Sequence, residues 1–172
     1  MPGRLHSTFS SPATAFVLRF ALLLGVEGVV YPIATRRWFF AVEALNTGTA
    51  RIQYELLRCV GAPASLDGNL VQLGGFGVRI IEECTGLFEA IIFLAAVLAF
   101  PASLAKKAIG LALGVPLLYV FNVLRILGLL VVGEQRPELF EFMHLYFWQA
   151  TLILMITSVW LLWIFLVVRR ED

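Results

Sequence analysis

Charge is scarce in this chain. Only 15% of its 172 residues are Asp, Glu, Lys or Arg, while 60% are hydrophobic. A soluble domain of this size is usually about 45–50% apolar and about 25% charged. The apolar residues come in long blocks, which excludes an ordinary soluble fold and points to an integral membrane protein. The net charge of +1 favours no charged partner, and no Lys/Arg cluster resembles a nucleic-acid-binding arm. Cysteine is equally sparse. Cys59 and Cys84 can form at most one disulfide, which excludes a disulfide scaffold. His144 and two distant cysteines do not make a metal ligand set, and nothing in the sequence calls for a cofactor. Internal repeats and dividing linkers are lacking too, so residues 1–172 read as a single membrane-embedded domain.

What is present is an all-α membrane protein with about four transmembrane helices, over residues 16–33, 85–100, 108–132 and 145–168. A helix needs about 20 residues, range about 17–25, to cross the hydrocarbon core. The second span, TGLFEAIIFLAAVLAF, is short and closed by Pro101, which places its start near a membrane surface. The first span lacks an A-x-A-like cleavage site and carries Glu27, so it reads as a helix rather than a signal peptide. Between the first two spans, residues 34–84 form the longest polar segment. Its first half reads as an amphipathic helix or two, with Phe40, Ala44, Leu45, Ile52, Leu56 and Leu57 at helical spacing and Trp38, Phe39 and Phe40 suited to an interface. Its second half reads as a small β-hairpin, with a turn at Asp67-Gly68-Asn69 and a second break at Gly74-Gly75.

Loop charge gives a topology. With the N-terminus cytoplasmic, Arg4, Lys106, Lys107, Arg169 and Arg170 lie inside, as the positive-inside rule asks. Segment 34–84 also carries five arginines (36, 37, 51, 58 and 79), so the inside loops prevail by density rather than by number. Both termini are therefore expected in the cytoplasm, with the amphipathic segment and hairpin on the outer face.

That topology brings three chemically capable residues to one membrane face. Cys84 opens the second span in IIEECTGLFEA, Arg125 lies in the third, and His144 opens the fourth in LFEFMHLYFWQ. Arg125 is seven residues before Val132, about 10 Å below that end. A thiolate can attack a peptide carbonyl and form a thioester. An imidazole can move protons near neutrality. A fixed guanidinium can hold the oxyanion of a tetrahedral intermediate or favour the thiolate. Glu82 and Glu83 act against the thiolate, since nearby negative charge disfavours it. Thr85 and Gly86 let the backbone turn tightly and let a substrate approach. Asn122 stands one turn before Arg125 on the same face and could orient it. Glu89, one turn inside the second span, could pair with Arg125, position His144 or serve as a satisfied polar group.

Each residue also has a structural reading. A lone cysteine at a helix end is usually filling, an arginine can snorkel to headgroups, and a histidine beside Tyr146 and Trp148 suits an aromatic belt. A Cys59–Cys84 disulfide would remove the nucleophile. The residues alone leave three readings open: acyl-transfer enzyme, non-enzymatic membrane scaffold or assembly subunit, and, more weakly, a transporter subunit using Arg125 and Glu89.

The segments ECTGLFEAIIFLAAVLAFP, VFNVLRILGLLVVGEQRPELFEFMHLYFWQ and the preceding FGVRIIEEC resemble the exosortase/archaeosortase family of membrane cysteine transpeptidases, closest to its short exosortase H type. The resemblance covers roughly residues 16–168 and follows the family's order of Cys, Arg and His segments. The family's cysteine is usually followed by Ser or Asn and then Gly, where this chain has Thr85 and Gly86. The resemblance implies a catalytic set of Cys84, Arg125 and His144, with Asn122, Glu83, Glu89, Thr85 and Gly86 in support. It further implies a bacterial inner-membrane enzyme that cleaves C-terminal sorting signals made of a short motif, a transmembrane helix and a basic tail. The substrate would pass to an acceptor, such as an amine or a lipid headgroup.

Overall fold

The computed structural model describes residues 11–169. Arg4 and Arg170, which contribute to the charge-based topology, lie outside the described residues. The chain begins with helix α1 (Pro12–Arg37). Ser11 caps it by accepting a hydrogen bond from the Thr14 amide at 3.1 Å, and Pro12 occupies the first helical position, where no amide is needed. Arg36 and Arg37 fall in its last turn, where the helix dipole favours cations. After a break at Trp38, α2 runs over Phe39–Cys59.

Three short antiparallel strands follow: β1 (Ala64–Asp67), β2 (Leu70–Leu73) and β3 (Phe76–Arg79), in the order β1-β2-β3. The expected hairpin is thus a three-stranded meander, because Gly74-Gly75 makes a second two-residue turn instead of ending the sheet. The registers Asp67↔Leu70 and Leu73↔Phe76 close the two turns on Gly68-Asn69 and Gly74-Gly75. Gly68 (φ +58°) and Gly74 (φ +57°) take the positive dihedral that tight hairpin turns demand.

A 3-10 turn over Glu82–Cys84 leads into α3 (Leu87–Ala99). Helix α4 (Leu104–Gln135) starts at the Ser103 cap, and α5 (Pro137–Phe142) starts at a proline after Arg136 reverses the chain. A π-helical turn over Met143–Phe147 joins α5 to α6 (Trp148–Trp163), and a second π-helical turn spans Ile164–Val168. Helices α4 and α6 run antiparallel, with Gly128, Gly114 and Gly110 against Trp148, Val159 and Trp163 respectively.

Among the described residues, three helical segments are long and apolar enough to cross a membrane: Pro12–Arg37, Leu104–Gln135 and Pro137–Val168. The expected second span is shorter than its sequence block. Cys84–Gly86 form a turn and Phe100 is extended, leaving the 13 residues of α3, about 20 Å of helix. The other three exceed their expected bounds because helical hydrogen bonding continues through the flanking charged residues.

Two cores result. Ala50, Leu57, Val71, Leu73, Ile80, Ile126 and Leu130 pack between α2, the sheet and α4, and Cys84 is part of this cluster. Phe93, Val97, Leu118, Met155, Val159, Trp163 and Ile164 fill the bundle of α3, α4 and α6. The apolar stripe expected on α2 is mostly turned outward, with Phe40, Ile52 and Leu56 exposed and only Leu57 among those six buried. The buried face is instead Asn46, Thr49, Ala50, Gln53 and Leu57. Thr49 Oγ1 meets the Tyr119 hydroxyl at 3.0 Å, and Gln53 Nε2 donates to Val123 O at 3.2 Å. Polar packing between helices and apolar residues outside suits a segment whose surroundings are themselves apolar.

Candidate active site

Cys84 ends the 3-10 turn, between the sheet-side core and the helix bundle. The turn is held from within. Thr85 Oγ1 donates to Glu82 O at 2.7 Å and accepts from the Leu87 amide at 3.4 Å. Gly86 then takes φ +77°, and a β-carbon there would lie 3.3 Å from Asn122 Cβ. Both the left-handed backbone and the close approach of α4 therefore call for glycine.

Asn122 links the thiol's segment to the cation. Its Nδ2 donates to Cys84 O at 2.6 Å, and its Oδ1 accepts from Arg125 Nη1 at 3.4 Å. Arg125 Nη1 also lies 3.7 Å from Glu89 Oε1, and both side chains are 9% exposed. Asn122 and Glu89 thus both lie against Arg125; of the alternatives open for Glu89, the contact present is the one with Arg125. Arg125 Nε and Glu89 Oε2 are buried and find no hydrogen-bond partner among the described residues. In a low-dielectric setting, such unmatched polar edges favour a polar or charged ligand group.

His144 sits in the π-helical turn Met143–Phe147, an irregularity common where a helix must re-aim a side chain. Its ring stacks on Phe140, with centroids 5.6 Å apart and planes 3° from parallel. Phe140 in turn packs on Phe76 of β3, with centroids 4.9 Å apart. A chain of aromatic contacts thus runs from the sheet to the imidazole.

One cavity of about 470 Å³ gathers Cys84, Arg125 and His144, together with Glu83 and Glu89. Thr85, Gly86 and Asn122 do not line it; Thr85 and Gly86 shape the turn that carries Cys84, and Asn122 holds the Cys84 carbonyl. Thiol and imidazole face this cavity without a hydrogen bond between them. Both cysteines are free, with Cys59 exposed at the end of α2, so the disulfide alternative is not formed. Sequence reasoning missed Tyr31 and Gln149 as cavity walls. The available signals were faint: Tyr31 follows Glu27 by one helical turn, and Gln149 follows Leu145 by one.

The fold and this cavity define a multi-pass α-helical membrane protein with a thiol, a guanidinium and an imidazole around one open cavity. The family model for transmembrane exosortases (Exosortase_EpsH) matches residues 5–165, and the chain belongs to that family. Archaeosortase A of Haloferax volcanii is 30% identical over 129 residues, which cover 73% of this chain and 40% of that protein. The chain therefore spans less than half the length of this curated relative. No solved structure matches the chain.

Proposed function

We propose that the protein is a membrane-embedded cysteine transpeptidase that cleaves C-terminal sorting signals of exported proteins and transfers them to an acceptor. The observation that carries this reading is the single cavity shared by Cys84, Arg125 and His144; membership of the exosortase family supports it. Cys84 attacks the scissile carbonyl as a thiolate, and the carbonyl oxygen becomes an oxyanion facing Arg125. As the C–N bond breaks, His144 gives a proton to the departing amine and a thioester remains on Cys84. An acceptor amine, from a peptide or a lipid headgroup, then attacks the thioester. Its proton passes to His144 and the thiolate is released. Water in place of the acceptor gives hydrolysis. Asn122 holds the Cys84 backbone, Glu89 orients Arg125, and Glu83 bounds the cavity beside the thiol.

The proposed setting is a bacterial inner membrane, with both termini cytoplasmic and the cavity on the outer face. The substrate carries a short motif, a transmembrane helix and a basic tail. The test is co-expression with a reporter ending in such a tag, followed by gel and mass spectrometry. The expected outcome is a shorter reporter with wild type and an intact one with Cys84→Ala; equal processing by both would refute the assignment. The packing of Cys84 into the sheet-side core favours a second reading, a non-enzymatic scaffold whose cysteine is structural. That reading predicts unchanged function in Cys84→Ala and His144→Ala.

A further inference from the structure

A second hollow of about 410 Å³ lies between α1, α2 and α3, bounded by residues such as Ala34, Leu45, Ile91 and Leu94. It is elongated along α1. Its α1 wall runs from Glu27 to Thr35, a rise of about 12 Å along the helix. Tyr31 lines both this groove and the thiol cavity, and the neighbours Leu87 and Phe88 line one each. The groove therefore adjoins the space around Cys84, with Tyr31 and Phe88 in edge contact at the boundary.

Its walls are mostly apolar; the Thr35 hydroxyl is bonded to Pro32 O, and Glu27 is the one ionisable carboxyl on them. Glu27 Oε2 is buried and has no hydrogen-bond partner among the described residues. A carboxyl so placed favours an occupant that brings a hydrogen-bond donor. An acyl chain has the right shape but offers no donor. An apolar helix has the shape and can offer one through a Thr, Ser or Asn side chain.

We propose that this groove seats the transmembrane helix of the tagged substrate, and that Glu27 receives a donor side chain on that helix. The inference rests on the transpeptidase reading, since the substrate's cleavage site must reach Cys84 while its helix lies alongside. Glu27 then acts as a register mark. It fixes which turn of the substrate helix lies beside Tyr31, and so which peptide bond meets the thiol.

The test has two arms in cells expressing the full chain. In the first, a photo-crosslinking residue replaces Leu45 or Leu94, which line the groove, or Leu22 or Val29, which are exposed elsewhere on α1. These substitutions are made in a Cys84→Ala background that leaves the reporter uncut. Crosslinks from Leu45 and Leu94 to the tag helix, and none from Leu22 and Val29, are expected. Lipid adducts alone at the groove positions, or tag adducts only at the outward ones, overturn the assignment. In the second arm, a single Thr is moved along an otherwise all-Leu tag helix. Wild type is expected to process one register about five- to tenfold faster than the rest, the value of one hydrogen bond. Glu27→Leu should lose that preference, and Glu27→Gln should keep it. The same preference in Glu27→Leu overturns the role of Glu27. Cleavage that depends on Cys84 without groove crosslinks sinks the groove and spares the transpeptidase; absence of cleavage with every tag sinks both.

Discussion

Asn122 is fully buried and bonded on both sides, to the Cys84 carbonyl and to Arg125. Asn122→Ala leaves that carbonyl without its donor, at about 1–3 kcal/mol. The expected result is a lower melting temperature in detergent together with slower reporter cleavage; unchanged values for both would contradict the bracing role. Arg125 and Glu89 form a buried pair. Arg125→Ala leaves a buried carboxylate unpaired, a change worth about 3–5 kcal/mol in such settings. Adding Glu89→Ala should restore much of the stability while cleavage stays lost, and a melting series on the single and double variants checks this. Much of this residue-scale arrangement was legible in the sequence. The i, i+3 spacing of Asn122 and Arg125 put both on one helical face, and a carboxyl inside a span needs a partner. Tyr31 and Gln149 were not legible, because their place in the cavity depends on how α1 and α6 pack against α3.

At the scale of elements, the sheet has a task beyond covering α4. Phe76 lies over Gly133, where any β-carbon would collide with the ring, and the Gly75 amide donates to Glu134 Oε2 at 2.9 Å. Through Phe140 this docking reaches His144. Phe140→Ala should therefore slow cleavage about tenfold or more, since small misplacements of a reacting group are costly. Phe140→Tyr, which keeps the ring, should restore most of the rate. Equal rates for wild type, Phe140→Ala and Phe140→Tyr would show that the stack does not position the imidazole. Gly68-Asn69 and Gly74-Gly75 announced the breaks, but the third strand was hidden because Gly74-Gly75 reads equally well as an end or as a turn. The sequence pattern of α2 announced an amphipathic interface segment but not which residues face the protein. Apolar periodicity marks the buried face only when the surroundings are water, and here Thr49 and Gln53 face inward while Phe40 and Ile52 face out.

On the scale of the whole molecule, exposed apolar side chains run along all three long helices, and no residue of α1 is fully buried. Such a surface calls for a bilayer. The chain should remain in the membrane pellet after extraction with alkaline carbonate, and release into the supernatant would contradict an integral placement. The short α3 starts three residues after Cys84. The central claim is that Cys84 carries the acyl group during transfer. It is tested most directly by trapping the enzyme with a tagged reporter in acid, digesting it and reading the peptide that contains Cys84 by mass spectrometry. The account predicts a reporter fragment bound to Cys84 and released by hydroxylamine, as a thioester is. Cleavage of the reporter with Cys84 unmodified, or with the fragment on another residue, would contradict it.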